Sequence, residues 1–272
     1  MSRYFRLTGG RVLLRPLGVV GLIGVGLVGA VGAEDGSWQI EKSKHFLVHY
    51  TVDATEAGEV ATRAEKHYET IAADLGFTRY GEFWLWDRRV KIVIYPSAQA
   101  FAAACRAPVW AAGKADARRR EIDGYHQGGK GFLEEVLPHE MAHLILDDFI
   151  GTESLPLWVA EGFAQWEQYG RTSLPFALDA QGTGRLPFAE WVDFDVRREP
   201  DSGRAVRYYR QSASVVGFLI SEFGGERFGS FCRALRDGKK VEDALKAAYA
   251  DQVPGLAPLE KAWAKYVEGN KR

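Results

Sequence analysis

Cysteine is scarce: Cys105 and Cys232 are the two in 272 residues. That excludes a disulfide-dense scaffold and any zinc cluster built from thiolates, so metal chemistry would have to use imidazoles and carboxylates. An excess of either charge is missing too. Lys and Arg total 35 against 36 Asp and Glu, a net of -1, which gives no electrostatic reason to expect nucleic acid as a partner. There is no internal repeat and no low-complexity tract. The glycines of 128–131 lack a following Lys-Ser/Thr, so a phosphate loop is unsupported, and no Gly-x-Ser-x-Gly elbow suggests a serine hydrolase. What is present is apolar: 46% hydrophobic and 12% aromatic residues exclude a disordered or fibrous chain. The length suffices to bury a sizeable core in one large domain or two small ones.

One long uncharged run occurs, over 17–33. It follows Arg3, Arg6, Arg11 and Arg15 and ends on Val31-Gly32-Ala33. Basic, then apolar, then small is the layout of an export signal, so 1–33 is expected to be removed and the protein to be periplasmic or secreted. An uncleaved membrane anchor over 17–33 is the alternative, at the short limit of a span. Removal leaves 31 basic and 36 acidic side chains, a net of -5. In an oxidising compartment Cys105 and Cys232 could pair, but spacing does not decide it.

Along the rest of the chain, 45–52 alternates as a strand does. Asp53 is placed to cap a helix running to about Leu75 and stopped by Gly76. A second strand is expected over 90–95, closed by Pro96, and a short helix from Ser97 to Cys105. The glycines and prolines of 106–131 read as loop, with a short strand near 121–126. After Phe132 the pattern is helical, over about 134–149, 157–168, 205–223, 226–236, 240–249 and 258–268. Strands before the change and helices after it predict an α+β fold in two lobes, 34–131 and 132–272.

Residues 139–143 are His-Glu-Met-Ala-His. On a helix, positions i and i+4 share a face, so His139 and His143 can reach one ion. Glu140 points to a neighbouring side, where it can act on a water without ligating the metal. With six His in the chain, random placement gives roughly 0.01 copies of this pattern. Tetrahedral zinc would need one more protein ligand. Glu161 is the candidate: it lies among Trp158, Val159, Phe163 and Ala164, and a carboxylate in an apolar stretch is costly without a compensating charge. Glu167 competes. Pro138, directly before the motif, leaves the helix start open: it falls in or just after the first turn, or it kinks an earlier-starting helix. His126, in a Gly-rich stretch, can face the cleft or solvent, and His45, His49 and His67 read as structural or exposed.

His139-Glu140-x-x-His143, followed by Trp158-Val159-Ala160-Glu161-Gly162-Phe163-Ala164, resembles the gluzincin clan of zinc metallopeptidases, and is most similar to peptidase-MA-like domains. The stretch 158–164 also resembles the aminopeptidase-N family. His45 to Tyr50 is similar to the first strand of peptidase-MA-like domains, Tyr209-Arg210-Gln211-Ser212 to their Y-x-Q-S helix, and Leu259-Glu260-x-x-Trp263-x-x-Tyr266 to their closing helix. The amine-holding G-x-M-E-N motif of aminopeptidase-N is absent, and its Asn before the ligand Glu is Ala160 here, which argues against aminopeptidase action. The resemblance implies a thermolysin-like fold, with a small mixed-sheet lobe followed by a helical lobe that carries one zinc ion on His139, His143 and Glu161. It implies a peptidase acting on a peptide or protein, with Glu140 as general base. Tyr209 would be the oxyanion donor, with Tyr208 as its alternative. Two rivals share the motif: a catalytically silent binding module, and a zinc hydrolase of a non-peptide amide.

Overall fold

The computed structural model describes residues 5–6, 37–51, 53–77, 84–107, 111–125, 131–151, 155–169 and 184–269. All of the 1–33 segment but Phe5 and Arg6, together with His126, Gly128 and Gly129, lie outside them. Among the described residues, no helix is long and apolar enough to cross a membrane.

Among the described residues, every strand precedes Phe132. The order in the mixed sheet is β1–β5–β6–β4–β3–β2, with β1 (Phe5–Arg6), β2 (Gln39–Lys42), β3 (Phe46–Tyr50), β4 (Val90–Tyr95), β5 (Ala111–Asp116) and β6 (Glu121–Tyr125). β3, β4 and β6 run parallel, and the outer pairs are antiparallel. Phe46, Val48 and Tyr50 are buried and alternate with half-exposed Leu47 and His49. The buried set faces α1 (Ala54–Asp74), which Asp53 caps by accepting from the Thr55 N–H at 2.8 Å. Gly76 follows at φ 75°, a conformation that favours glycine. α2 (Ala98–Cys105), capped by Ser97, lies on the other face, with Phe101 against Tyr95 and Tyr125.

β5 corrects the expected loop over 106–131. Its sequence, Ala-Ala-Gly-Lys-Ala-Asp, has no β-branched or aromatic residue, so no strand propensity announces it. Pairing supplies what propensity does not. Gly113 sits directly opposite Gly124 of β6. A Cβ on Gly113 would lie 2.3 Å from Val136 Cγ1, and one on Gly124 would lie 2.1 Å from Phe132 Cε2. The two glycines thus form a flat seat for the segment that leads into the metal-motif helix.

That segment settles the question raised by Pro138. A π turn, Phe132–Val136, precedes α3 (Leu137–Phe149), and the Leu137 N–H reaches back five residues to Phe132 O. The helix therefore starts early, and the irregularity caused by the missing Pro138 N–H takes the form of wide π geometry just before it. Beyond α3 come α4 (Leu157–Tyr169), the single turn α5 (Phe188–Trp191), α6 (Ser202–Phe223), α7 (Gly225–Arg236), α8 (Val241–Tyr249) and α9 (Leu256–Gly269). α4 and α6 approach closely because a Cβ on Gly162 would meet Ser212 O at 2.6 Å, and one on Gly217 would meet the Trp166 ring at 2.4 Å. Trp158, Phe163, Trp191 and Phe231 are fully enclosed, each worth about 2–3 kcal/mol of apolar burial. Cys105 and Cys232 are both free thiols.

Candidate metal centre

α3 is buried along almost its whole length, so its polar residues are carried inside with the apolar ones. His139, Glu140 and His143 are 4%, 1% and 6% exposed. Successive turns bring the two imidazoles together, with ring centroids 5.0 Å apart and planes at 81°. α4 packs on α3 and places Glu161 opposite them, its Oε2 3.8 Å from His143 Nε2. One ligand atom from each of His139, His143 and Glu161 lies within 4.8 Å of the other two. Among the described residues, this is the group of histidines and acids gathered closely enough to hold a metal. Tetrahedral zinc with bonds of about 2.0–2.2 Å needs ligand atoms about 3.3–3.5 Å apart, so a small closure would complete the set. Two imidazole nitrogens and one carboxylate oxygen suit that ion. Glu167, the rival of Glu161, lines an acidic cavity with His67, Asp74, Glu134, Glu135 and Gln168 instead of joining the two imidazoles.

Gln168 was not foreseen. Seven residues after Glu161, it is 5% exposed, and its Oε1 lies 3.2 Å from His139 Nδ1. The i, i+7 spacing from Glu161 was the available signal, since two helical turns return to the same face. The Y-x-Q-S stretch divides by role. Gln211 clamps the backbone of Leu186, accepting from its N–H at 2.8 Å and donating to its O at 3.0 Å. Ser212 accepts from Trp191 Nε1 at 3.1 Å. Tyr208 is fully buried, and its hydroxyl has no hydrogen-bond partner. Burial, and then the negative charge of Glu161, push its pKa up. Tyr209 is half-buried, edge-on to Tyr208 with centroids 5.8 Å apart. His45 binds Glu65, and His67 meets Leu133 O, so both hold structure together.

The family model of the peptidase MA superfamily matches residues 85–269. The chain belongs to the peptidase MA superfamily. The match takes in β4 to β6, both metal-motif helices and everything after them. Its membership makes the gluzincin resemblance a family relationship and gives the chain a metallopeptidase-like character. The α+β architecture is consistent with that family. No curated protein matches the sequence.

Proposed function

We propose that this member of the peptidase MA superfamily is a zinc-dependent peptidase of gluzincin type, built as a thermolysin-like sheet lobe and helical lobe. The observation that carries the reading is the meeting of His139, His143 and Glu161 beside the buried Glu140. A zinc ion held by those three side chains would acidify a water and polarise the scissile carbonyl. Glu140 takes the proton from the attacking water and passes it to the leaving nitrogen. Burial holds that carboxylate in place, so little reorganisation is needed at the moment of transfer. Tyr209 donates to the developing oxyanion. Tyr209 is the half-buried member of the pair, and the enclosed Tyr208, whose pKa the charge of Glu161 raises, is the alternative donor. The substrate is a peptide or protein; the missing amine-anchoring motif favours cleavage that does not depend on a free N-terminus.

We further propose that 1–33 directs export and that the mature chain begins near Glu34, which would remove β1 and leave the sheet β5–β6–β4–β3–β2. N-terminal sequencing of the native protein that found 17–33 intact in the membrane fraction would replace export by anchoring.

Glu140→Gln tests the catalytic reading. The amide preserves shape but cannot accept the proton. The variant should keep one zinc per chain and lose about 10²–10⁴-fold in kcat on a peptide library. Peptide turnover close to wild type would remove Glu140 from the mechanism. A wild-type protein that binds zinc and cleaves neither peptides nor amides would be a binding module.

A further inference from the structure

His139 has two ring nitrogens, and zinc binding needs one lone pair aimed at Glu161 and His143. The other nitrogen decides whether that lone pair is available. Nδ1 of His139 lies 3.2 Å from Oε1 of Gln168, and both residues are buried. An amide oxygen can only accept, so Nδ1 carries the proton and Nε2 keeps the lone pair. Gln168 stands two turns beyond Glu161 on α4, so one helix supplies both a ligand and the group that orients the ligand opposite it.

A carboxylate is the commoner partner for such an imidazole. Here the wall around the side chain is already acidic: Asp74, Glu134, Glu135, Glu167 and Gln168 line one cavity of about 420 Å³. An amide offers the same acceptor oxygen that a carboxylate would, without adding to that charge. Nε2 of Gln168 is buried without a hydrogen-bond partner, so the amide forgoes a partner at that end while Oε1 stays on His139.

We propose that Gln168 is a positioning residue for the metal centre: it fixes the tautomer and ring orientation of His139 so that Nε2 faces the ion. The proposal rests on the zinc reading above. Gln168→Met removes both polar atoms at nearly constant volume, and Gln168→Glu restores an acceptor oxygen. Zinc dissociation constants are measured at pH 8 by competition with a chromogenic chelator, together with the visible spectrum of the cobalt-substituted protein and the melting temperature of the metal-free form. Gln168→Met should bind zinc about 10–100-fold more weakly and shift the cobalt spectrum. Gln168→Glu should recover most of the affinity. Equal zinc affinity in Gln168→Met and wild type overturns the proposal, as does a loss in Gln168→Met that Gln168→Glu leaves unrepaired. A lower melting temperature for metal-free Gln168→Met with unchanged affinity and spectrum would make the residue a packing element. Wild-type protein that fails to bind zinc at all would overturn the zinc reading instead.

Discussion

Glu121 on the sheet and Glu161 on α4 are both acids drawn into the protein, with 4% and 15% of their side chains exposed. Their surroundings differ. Glu121 is met by Lys91 Nζ at 3.2 Å and Arg119 Nη2 at 2.5 Å. Glu161 is met by the imidazole of His143 at 3.8 Å, with His139 completing the triangle. The sheet supplies permanent cations to its own carboxylate, so that charge is settled once the chain folds. The helices supply imidazoles, which are ligands when neutral, with the Arg197 guanidinium also acting on Glu161, and so present a donor set that could take an ion from outside. Each region also has a phenol near an acid. The pKa of half-buried Tyr95 is raised by burial and Asp123, and that of fully buried Tyr208 by burial and Glu161. An acid with a phenol nearby therefore does not by itself mark a site; two imidazoles gathered on the same acid do.

The sharpest way to break the comparison is to remove one base from each region. His143→Ala should abolish stoichiometric zinc binding, whereas Lys91→Ala should leave zinc unchanged and cost about 1 kcal/mol or less, because Arg119 remains. Metal analysis and denaturant titration of both variants would show it, and stoichiometric zinc in His143→Ala would end the argument. A smaller effect separates the phenols. Tyr209→Phe should lower kcat by about 10²-fold with zinc content unchanged, while Tyr95→Phe should leave kcat untouched. A loss confined to Tyr208→Phe would move the oxyanion donor one residue back.

The smallest effect is one of pH. Asp123 is fully buried, its two oxygens have no hydrogen-bond partner, and burial followed by the charge of Glu121 pushes its pKa up to about 6. Arg119 and Lys114 oppose the shift. A carboxyl with a folded-state pKa above its unfolded value of 3.8 binds protons more strongly in the native state. Its contribution to stability is therefore fullest below about pH 4 and is lost as pH rises through 6. Asp123→Asn should stabilise the protein by about 2 kcal/mol at pH 8 and by nothing at pH 3.5. Denaturant melts at the two pH values would check it; a gain independent of pH would mean that the carboxyl is not the cause.

Much of this was legible from residue pattern. β4 matches its expected bounds, and α1 and α2 carry the expected caps on Asp53 and Ser97. Their signals are local: alternation, helical spacing, a capping side chain. His139, His143 and Glu161 were readable for the same reason, since the first two share one helix turn and the third stands out in an apolar stretch. What escaped depends on partners distant in sequence. β5 is a strand because β6 pairs with it, and β2 (Gln-Ile-Glu-Lys) because β3 does. The π turn arises from Pro138 together with the demand of Phe132 and Val136 to sit on the glycines of the sheet. Gln168 matters only through His139, 29 residues away. Single turns such as Phe188–Trp191 are too short to show a period.

The facing glycines Gly113 and Gly124 also bear on the order in which the molecule assembles. The β5–β6 hairpin closes through the short turn 117–120, a local event on the microsecond scale. Phe132 and Val136 have no seat until that hairpin exists, and α3 cannot take its final direction before they are seated. Glu161 then waits on the docking of α4, which in turn needs α6 against Gly162. On that order the three candidate ligands would meet late, after most of the apolar surface has been buried. An ion arriving at such a site acts on the finished fold and holds it shut. In a chevron plot with and without zinc, the metal should lower the unfolding limb while leaving the refolding limb where it was.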